Sequence, residues 1–345
     1  MRVFCPDPLA SQPIHQLFLF KFRPEAPIGG LFKENLPENF FETHVEYVDA
    51  PQKADIIILP TNFVRLDDEA HTHIAWYAEM GEKINKPVYV FSCGDYSFDL
   101  KFDPRVYVFR YSIYRSHMGP RDICAPTLTE DIGRNGIEIR AKQELPVVSF
   151  CGKAGFATLR EQIASLIKRV PYEIRGLFAP QERAKIRGVF WRIGALTACR
   201  NSNLIRTLFI IRKSFSGAAQ TIELDPAQAR AEFIGSVRDA DFVLAPKGDG
   251  NYSNRFLEAL SMGRIPVHID TDAVLPFEDR IDYKSVVVEV PMCTMRDIPS
   301  LVRSFYDGLT QEEWESRQQL ARSIFEKYLK QDSFFKEYFS QFASA

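Results

Sequence analysis

The segment between residues 241 and 270 carries side chains whose types and spacing suit the binding of an anion. After a predicted strand and a Gly-rich loop, a predicted helix begins at Ser253, a good N-cap residue, and Asn254 follows in its first turn. Free amides and the dipole at a helix start favour an anion, and Arg255 adds a charge able to grip phosphate oxygens. Glu258 follows three residues after Arg255 on the same helix face, and it can accept two hydrogen bonds from a vicinal diol such as a ribose. A surface ion pair between Arg255 and Glu258 is the competing interpretation.

A second Gly-containing segment precedes another predicted helix. Residues 146–150 are predicted to form a strand, residues 151–155 a turn that contains Gly152 and Lys153, and residues 158–168 a helix. The turn could receive a phosphate and Lys153 could neutralise it, although the spacing is not that of a Walker motif. Ordinary turn chemistry is the alternative.

Asp270 and Asp272 follow a predicted strand, where an Asp-x-Asp sequence can hold Mn²⁺ or Mg²⁺ under a diphosphate. The alternative is a turn in which the two aspartates accept hydrogen bonds from local amides. We expect the turn, and therefore no metal and no cofactor. His71 and His73 are two residues apart in a predicted helix, where their side chains point apart, so we expect surface histidines.

Around these segments, short apolar runs alternate with helical stretches, which is typical of a parallel α/β fold. The predicted strands are residues 2–5, 54–59, 88–92, 106–109, 146–150, 172–177, 241–245, 265–269 and 285–290. The main predicted helices are residues 67–86, 158–168, 227–237, 253–262 and 297–309.

A chain of 345 residues is long enough for two domains. The break near residues 126–146 predicts an N-terminal domain at residues 1–140, a C-terminal domain at 141–310 and an amphipathic helical tail at 311–345. We expect two Rossmann-like domains that face each other and bind ligands in the cleft between them, at the carboxyl ends of the strands.

The segment at residues 241–270 resembles the nucleotide-sugar signature of the exostosin family, glycosyltransferase family 47. The similar stretches are Pro246 to Gly248, Ser253 to Arg255, Glu258 with Ala259, and Gly263 to Val267. Residues 274–283 and 121–126, together with 147–155 and Arg160, resemble further family features in the family's order. In the first 120 residues the resemblance to the family is only general.

The resemblance implies a GT-B arrangement, metal-independent donor binding and transfer with inversion at the anomeric carbon. The implied donor is a nucleoside diphosphate sugar, with UDP as the expected nucleotide, and the expected acceptor is a glycan or a lipid-linked glycan in polysaccharide biosynthesis. The implied donor-binding residues are Gly152, Lys153, Arg160, Ser253, Asn254, Arg255 and Glu258.

An inverting transfer needs a base, which we expect on the first domain, after a strand end. Asp95 is preferred over Asp7, because Gly94 permits a tight turn that presents it. One alternative is a non-catalytic nucleotide-sugar-binding subunit of a transferase complex. The other is a metal-dependent transferase that uses Asp270 and Asp272.

The net charge of −2 hides an uneven distribution, because residues 183–222 contain eight basic and no acidic side chains. Phe190 and Trp191 are interleaved with these charges, so the stretch from Arg183 to Lys213 predicts contact with an anionic membrane. A pair of helices with a solvated basic face is the alternative. The start of the chain lacks signal-peptide features, so we expect a cytoplasmic protein, peripheral at the inner membrane face. The acidic remainder and the lack of a recognition motif argue against nucleic-acid binding.

Overall fold

The computed structural model describes residues 1–24, 39–95, 99–212 and 225–343. Its N-terminal part contains a sheet of six parallel strands in the order β2-β1-β3-β4-β5-β6. The strands are β1 (Arg2–Phe4), β2 (Glu46–Tyr47), β3 (Ile56–Asn62), β4 (Val88–Ser92), β5 (Tyr107–Arg110) and β6 (Asp122–Cys124). Three helices accompany them: α1 (Leu19–Phe22), α2 (Phe40–Thr43) and α3 (Asp68–Lys83).

Apolar residues on consecutive positions of β3 bury both faces of this sheet. Ile56 and Ile58 point into one core, whereas Ile57 and Leu59 point into a second core against α3. This alternation is the two-residue period of a strand, and burial on both sides is characteristic of a parallel sheet.

The C-terminal part contains a second parallel sheet, of five strands in the order β11-β10-β9-β7-β8. The strands are β7 (Val147–Lys153), β8 (Arg206–Arg212), β9 (Phe242–Leu244), β10 (Ile265–Asp270) and β11 (Val288–Pro291). The helices of this part are α4 (Leu159–Arg175), α5 (Gly188–Arg200), α6 (Pro226–Arg238), α7 (Asn254–Ser261) and α8 (Ile298–Asp307). The chain ends in α9 (Gln311–Ile324), a π-helical turn (Phe325–Leu329) and α10 (Gln331–Ala343).

The carboxyl ends of the two sheets meet. The loop after β5 contacts the loop after β9, because Ser112 Oγ accepts a 2.8 Å hydrogen bond from the Asn251 amide. Lys247 Nζ, which also follows β9, donates to the Tyr114 hydroxyl at 2.8 Å. Two facing Rossmann-like domains are the GT-B arrangement, and the predicted fold class is confirmed.

Two sequence-based assignments in the second sheet are wrong. Residues 172–177 were expected to be a strand, but α4 continues through Pro171 to Arg175. The outer neighbour of β7 is instead β8, an edge strand within the basic stretch, so this stretch is not a pair of helices. The residues of β8 are mostly half-exposed. This strand therefore lacks the run of buried apolar residues from which the central strands can be predicted. The expected turn at residues 151–155 also begins later, since β7 extends to Lys153.

The predicted tail divides its packing between the two domains. Trp314 and Ile324 of α9 belong to the core of the second domain. Phe334, Phe335 and Phe339 of α10 are buried among the aromatic residues of the first sheet. The end of the chain therefore crosses back and completes the N-terminal core.

Candidate functional site

The loop after β9 is held rigidly between the domains. Asn251 is fully buried, and its Nδ2 donates to the carbonyls of Ile113 and Thr271 at 3.0 Å each. Its Oδ1 accepts from the Thr271 hydroxyl at 2.7 Å. Because this one side chain satisfies groups from both domains, the backbone at Gly248 and Gly250 is fixed at their junction.

Helix α7 begins where the sequence predicts, with Ser253 in the N-cap position, but the predicted side-chain cap does not form. The Ser253 hydroxyl is buried without a hydrogen-bond partner among the described residues. Asn254 Oδ1 accepts instead from the Thr127 hydroxyl at 2.9 Å. The helix start therefore keeps an unused hydroxyl beside its free amides.

Arg255 reaches from α7 to β7. Its Nε and Nη2 donate to the Cys151 carbonyl at 3.0 and 2.9 Å, and its guanidinium lies 4.7 Å from the Phe150 ring centre. Gly152 has a φ of +149°, and a Cβ built there would collide with the guanidinium. Burial lowers the pKa of Arg255. The role of Gly152 here is to make room for this arginine.

Glu258 lies on the same helix but pairs elsewhere. Its carboxylate is 3.5 Å from Arg230 Nη1, and that arginine also pairs with Glu130. The Glu258 side chain is only 14% exposed, and burial raises its pKa. The alternative of a surface ion pair between Arg255 and Glu258 is therefore wrong, because both side chains are largely withdrawn from solvent.

Two cations that sequence reasoning missed lie near the Gly-rich loop. Lys247 is 3% exposed, and burial lowers its pKa to about 7. Burial lowers the pKa of Arg192 to about 10, and Arg192 Nη1 donates to the Lys153 carbonyl at 3.2 Å. Arg192 Nε is buried without a partner among the described residues. Arg192 escaped notice because it was counted as one charge of a basic stretch, and Lys247 because it is the variable residue between Pro246 and Gly248.

The other predicted donor cations are less deeply placed. Lys153 ends β7 with its ammonium 3.9 Å from Glu161, and its side chain is 27% exposed. Arg187, which was not among the predicted donor residues, lies 3.7 Å from Asp249. Arg160 is exposed in the first turn of α4.

Asp95 of the N-terminal domain faces this group of cations. It follows β4, and a Cβ built at Gly250 would lie 2.8 Å from its Oδ1. The Tyr252 hydroxyl hydrogen-bonds to its carboxylate, and burial, followed by this charge, raises the pKa of Tyr252. The negative charge of Asp95 also acts on Lys247 and Arg192. Asp7, the second predicted base, is exposed after β1.

Asp270 is the last residue of β10, and Asp272 lies in the turn that follows this strand. Asp272 has a φ of +60°, and its Oδ2 accepts hydrogen bonds from the Ser116 amide at 3.0 Å and the Ser116 hydroxyl at 2.5 Å. This carboxylate therefore serves the contact between the domains, whereas the expected hydrogen bonds were to local amides of the turn. No group of three or more metal-binding side chains is found within the described residues.

The tryptophan of the basic stretch is buried, whereas Phe190 and Phe209 are half-buried. Trp191 is 7% exposed in the core of the second domain, and its indole N–H donates to the Ile186 carbonyl at 3.1 Å. The prediction that Trp191 could meet a membrane is therefore wrong. Several of the charges are paired, with Lys185 2.8 Å from Glu182 and Arg212 3.0 Å from Glu232. Lys213 and the window up to residue 222 lie outside the described residues.

Among the helices that the structure describes, none combines the length and apolar character needed to cross a membrane. His71 is exposed as predicted, whereas His73 is half-buried.

Solved structures that match this chain over their whole length include the following two. HepE from Anabaena, solved in complex with UDP, has a TM-score of 0.40 at 10% identity over 100% of both chains. A glycosyltransferase from Rickettsia africae has a TM-score of 0.40 at 9% identity, covering 99% of this chain and 98% of its own.

The sequence itself matches a known family over part of its length. Residues 184–305 match the exostosin GT47 domain. Exostosin-1 of Drosophila melanogaster is 37% identical over 75 residues, which are 22% of this chain and 10% of that protein. The exostosin-1 homolog of Caenorhabditis elegans is 34% identical over 101 residues, or 29% of this chain and 25% of its own. The matched region thus spans a quarter or less of these relatives. The similarity to the exostosin GT47 family therefore rests on the domain at residues 184–305.

Proposed function

We propose that this chain is an inverting, metal-independent glycosyltransferase. It would move a sugar from a nucleoside diphosphate, with UDP as the expected nucleotide, to a glycan or lipid-linked glycan acceptor in polysaccharide biosynthesis. The observation that carries the proposal is the position of Asp95, at a strand end of one domain, opposite Arg192 and Lys247 of the other. The GT47 domain that contains both cations supports the same reaction class.

The proposed reaction divides the work between the domains. The acceptor hydroxyl attacks the anomeric carbon from the side opposite the nucleotide, Asp95 takes the hydroxyl proton, and the bond to the diphosphate breaks with its electron pair. Buried cations and helix amides stabilise the charge that develops on the departing diphosphate. Fixed charges are effective here because the rigid loop around Asn251 holds them in place, so they need not reorganise during the reaction.

The donor site combines predicted and newly found residues. Arg192, Lys153 and the start of α7 at Ser253 and Asn254 are proposed to bind the diphosphate, with Arg255 held behind them by the Cys151 carbonyl. Glu258 is retained as the residue proposed to bind the ribose hydroxyls of the nucleotide. In that role the Glu258 carboxylate accepts hydrogen bonds from the ribose diol while it also contacts Arg230 Nη1, which is 3.5 Å away. Gly152 acts by admitting Arg255, and Arg160 is proposed for the exposed edge of the site.

Asp95→Asn tests the assignment of the base. The amide keeps the shape and the contact with Tyr252 but cannot accept a proton, so we expect turnover to fall by roughly 10²- to 10⁴-fold. UDP affinity should change little. Asp7→Asn is the matched control, because Asp7 also follows a strand of the first sheet but is exposed. Turnover is measured by UDP release from a panel of UDP-sugars and glycan acceptors.

Two results would contradict this assignment. Equal turnover in Asp95→Asn and the unmodified chain would remove Asp95, and loss of turnover in Asp7→Asn alone would transfer the role to Asp7. UDP binding without turnover on any acceptor would favour the nucleotide-sugar-binding subunit.

Arg255→Ala tests the donor site. Losing a charged hydrogen-bonding group should weaken UDP binding by on the order of tenfold to a hundredfold, which corresponds to about 1.5–3 kcal/mol. Calorimetric titration with UDP measures the change, and Arg160→Ala, at an exposed position, should have a smaller effect. Unchanged UDP affinity in Arg255→Ala would exclude this arginine from the site.

Chelation tests the metal-independent mechanism. Turnover should survive EDTA, since the proposed diphosphate site is already built from cations. Activity that is lost in EDTA and restored by Mn²⁺ would instead favour the transferase that uses Asp270 and Asp272.

A further inference from the structure

Helix α4 exposes its apolar side chains. Ile163, Ile167, Val170 and Ile174 recur at three- and four-residue steps, which places them on one face. They are 49%, 67%, 53% and 55% exposed, in that order. Leu159 and Leu166 extend the same face, and Leu177 and Phe178 follow just after the helix at 70% and 87% exposure. These eight residues are called the α4 apolar face.

The opposite face of α4 is polar and turned to the protein. Ser165 is buried and accepts a 2.7 Å hydrogen bond from Arg187. Glu173 pairs with Arg169 at 2.5 Å and with Arg183 at 3.3 Å. A surface helix of a globular protein normally buries its apolar stripe, so α4 has the reverse orientation. A group of exposed apolar side chains on one helix face indicates a site of contact.

The exposed charges of α4 are all positive. Arg160, Lys168 and Arg175 are exposed, whereas the two glutamates, Glu161 and Glu173, are half-buried and lie near arginines. An apolar face bordered by basic side chains is complementary to the surface of a membrane that contains anionic lipid. Docking with a second copy through the same face would bring like charges together.

We propose that the α4 apolar face docks this chain on an anionic membrane surface, with Leu, Ile, Val and Phe side chains at the depth of the lipid head groups. Helix α4 begins six residues after Lys153, the strand end at the proposed donor site. Docking would therefore bring that edge of the cleft close to lipid-borne acceptors. The inference does not rest on the proposed transferase activity, and its test requires no turnover.

Sedimentation with vesicles tests the proposal. Vesicles of equal parts phosphatidylcholine and phosphatidylglycerol should carry down the full chain at low salt, and raised salt should release it. Vesicles of phosphatidylcholine alone should bind much less. The double variant Ile167→Glu with Val170→Glu should reduce partition by on the order of tenfold or more, because carboxylates replace apolar contacts and repel anionic lipid.

The matched control is the double variant Val64→Glu with Trp76→Glu. These side chains are 52% and 56% exposed, like those of the test pair, but they lie in the N-terminal domain. The control should bind vesicles as the unmodified chain does. Both double variants should have the same melting temperature as the unmodified chain. A second charge test, Arg160→Glu with Lys168→Glu, should also weaken binding.

Four outcomes would overturn the proposal. The unmodified chain does not sediment with anionic vesicles, or the α4 and control variants bind equally well. In the third, sedimentation equilibrium shows a dimer that only the α4 variant abolishes, which would make the face a contact between two copies. A fall in melting temperature confined to the α4 variant would show that another segment of the chain covers the face, and it would overturn the proposal in the same way.

Discussion

Arg255 lies in the first turn of α7, as its place in the sequence predicts, but its guanidinium is directed to the Cys151 carbonyl of β7. The same contact explains why residue 152 is glycine. With a φ of +149° and no room for a Cβ, Gly152 lets the arginine pass close to the strand. Two residues that are about a hundred positions apart in sequence therefore form one structural unit.

Gly152→Ala should disturb the close approach of the Arg255 guanidinium to residue 152. The added methyl group must displace the guanidinium, and alanine is strained at this φ, so we expect a loss of about 1–3 kcal/mol in the free energy of unfolding. UDP binding should weaken with it. Urea denaturation and calorimetric titration measure the two effects.

Gly155→Ala is the matched control. A Cβ built at Gly155 meets open space, and the residue lies only three positions further along the same chain segment. It should leave both quantities nearly unchanged. Similar losses in the two alanine variants would show that the contact between Gly152 and Arg255 is not their cause.

At the scale of elements, α10 is the helix whose removal should affect a distant domain. Phe335 is 1% exposed and packs against Phe41 and Phe109 of the N-terminal domain, with ring centres 4.8 and 5.2 Å apart. This packing joins the last residues of the chain to the first sheet. The helix therefore acts as a part of the N-terminal core.

Phe335→Ala should cost about 3–5 kcal/mol of unfolding free energy, because it removes a buried ring and leaves a cavity. Lys336→Ala, whose side chain is 45% exposed on the same helix, should cost much less. Denaturation followed by near-ultraviolet circular dichroism reports both the loss and the aromatic environment. A small effect of Phe335→Ala would mean that α10 contributes little to the N-terminal core.

At the scale of the whole molecule, Lys247 connects the domains through a buried ammonium group. Its Nζ donates to the Tyr114 hydroxyl at 2.8 Å and lies 5.2 Å from the centre of that ring. Burial lowers the pKa of Lys247 from 10.5 to about 7. Between these values the unfolded chain binds more protons than the folded chain, so the stability contributed by this group rises with pH.

Lys247→Met should remove this pH dependence. Relative to the variant, the unmodified chain should gain about 2 kcal/mol of unfolding free energy between pH 7 and pH 9. Urea denaturation at several pH values measures the difference. Lys101→Met, at an exposed lysine, should give a curve parallel to that of the unmodified chain. Parallel curves for Lys247→Met as well would show that Lys247 is not the source of the dependence.

The sequence by itself determined the class of fold and the position of the most informative helix. Buried strands of a parallel sheet are apolar on consecutive residues, as in β3, and this pattern is local. The start of α7 at Ser253 was also predictable, because N-cap positions favour a few residue types. The sequence placed Asp272 in a turn, but its partner, Ser116, lies in the other domain. The resemblance to the GT47 family rests on several motifs in the family's order, and this order is more specific than any single motif.

Only the tertiary structure decided which side chains meet and which surfaces stay exposed. Arg192, Lys247 and Asp95 come from three separate segments, and their proximity depends on how two domains pack. Residues 172–177 are predicted to be a strand, but α4 continues to Arg175 and exposes Ile174 to solvent. Likewise, the exposure of Trp191 depended on neighbours far away in sequence. Contacts between distant segments and the burial of a given face are properties of packing, and a single sequence records them only indirectly.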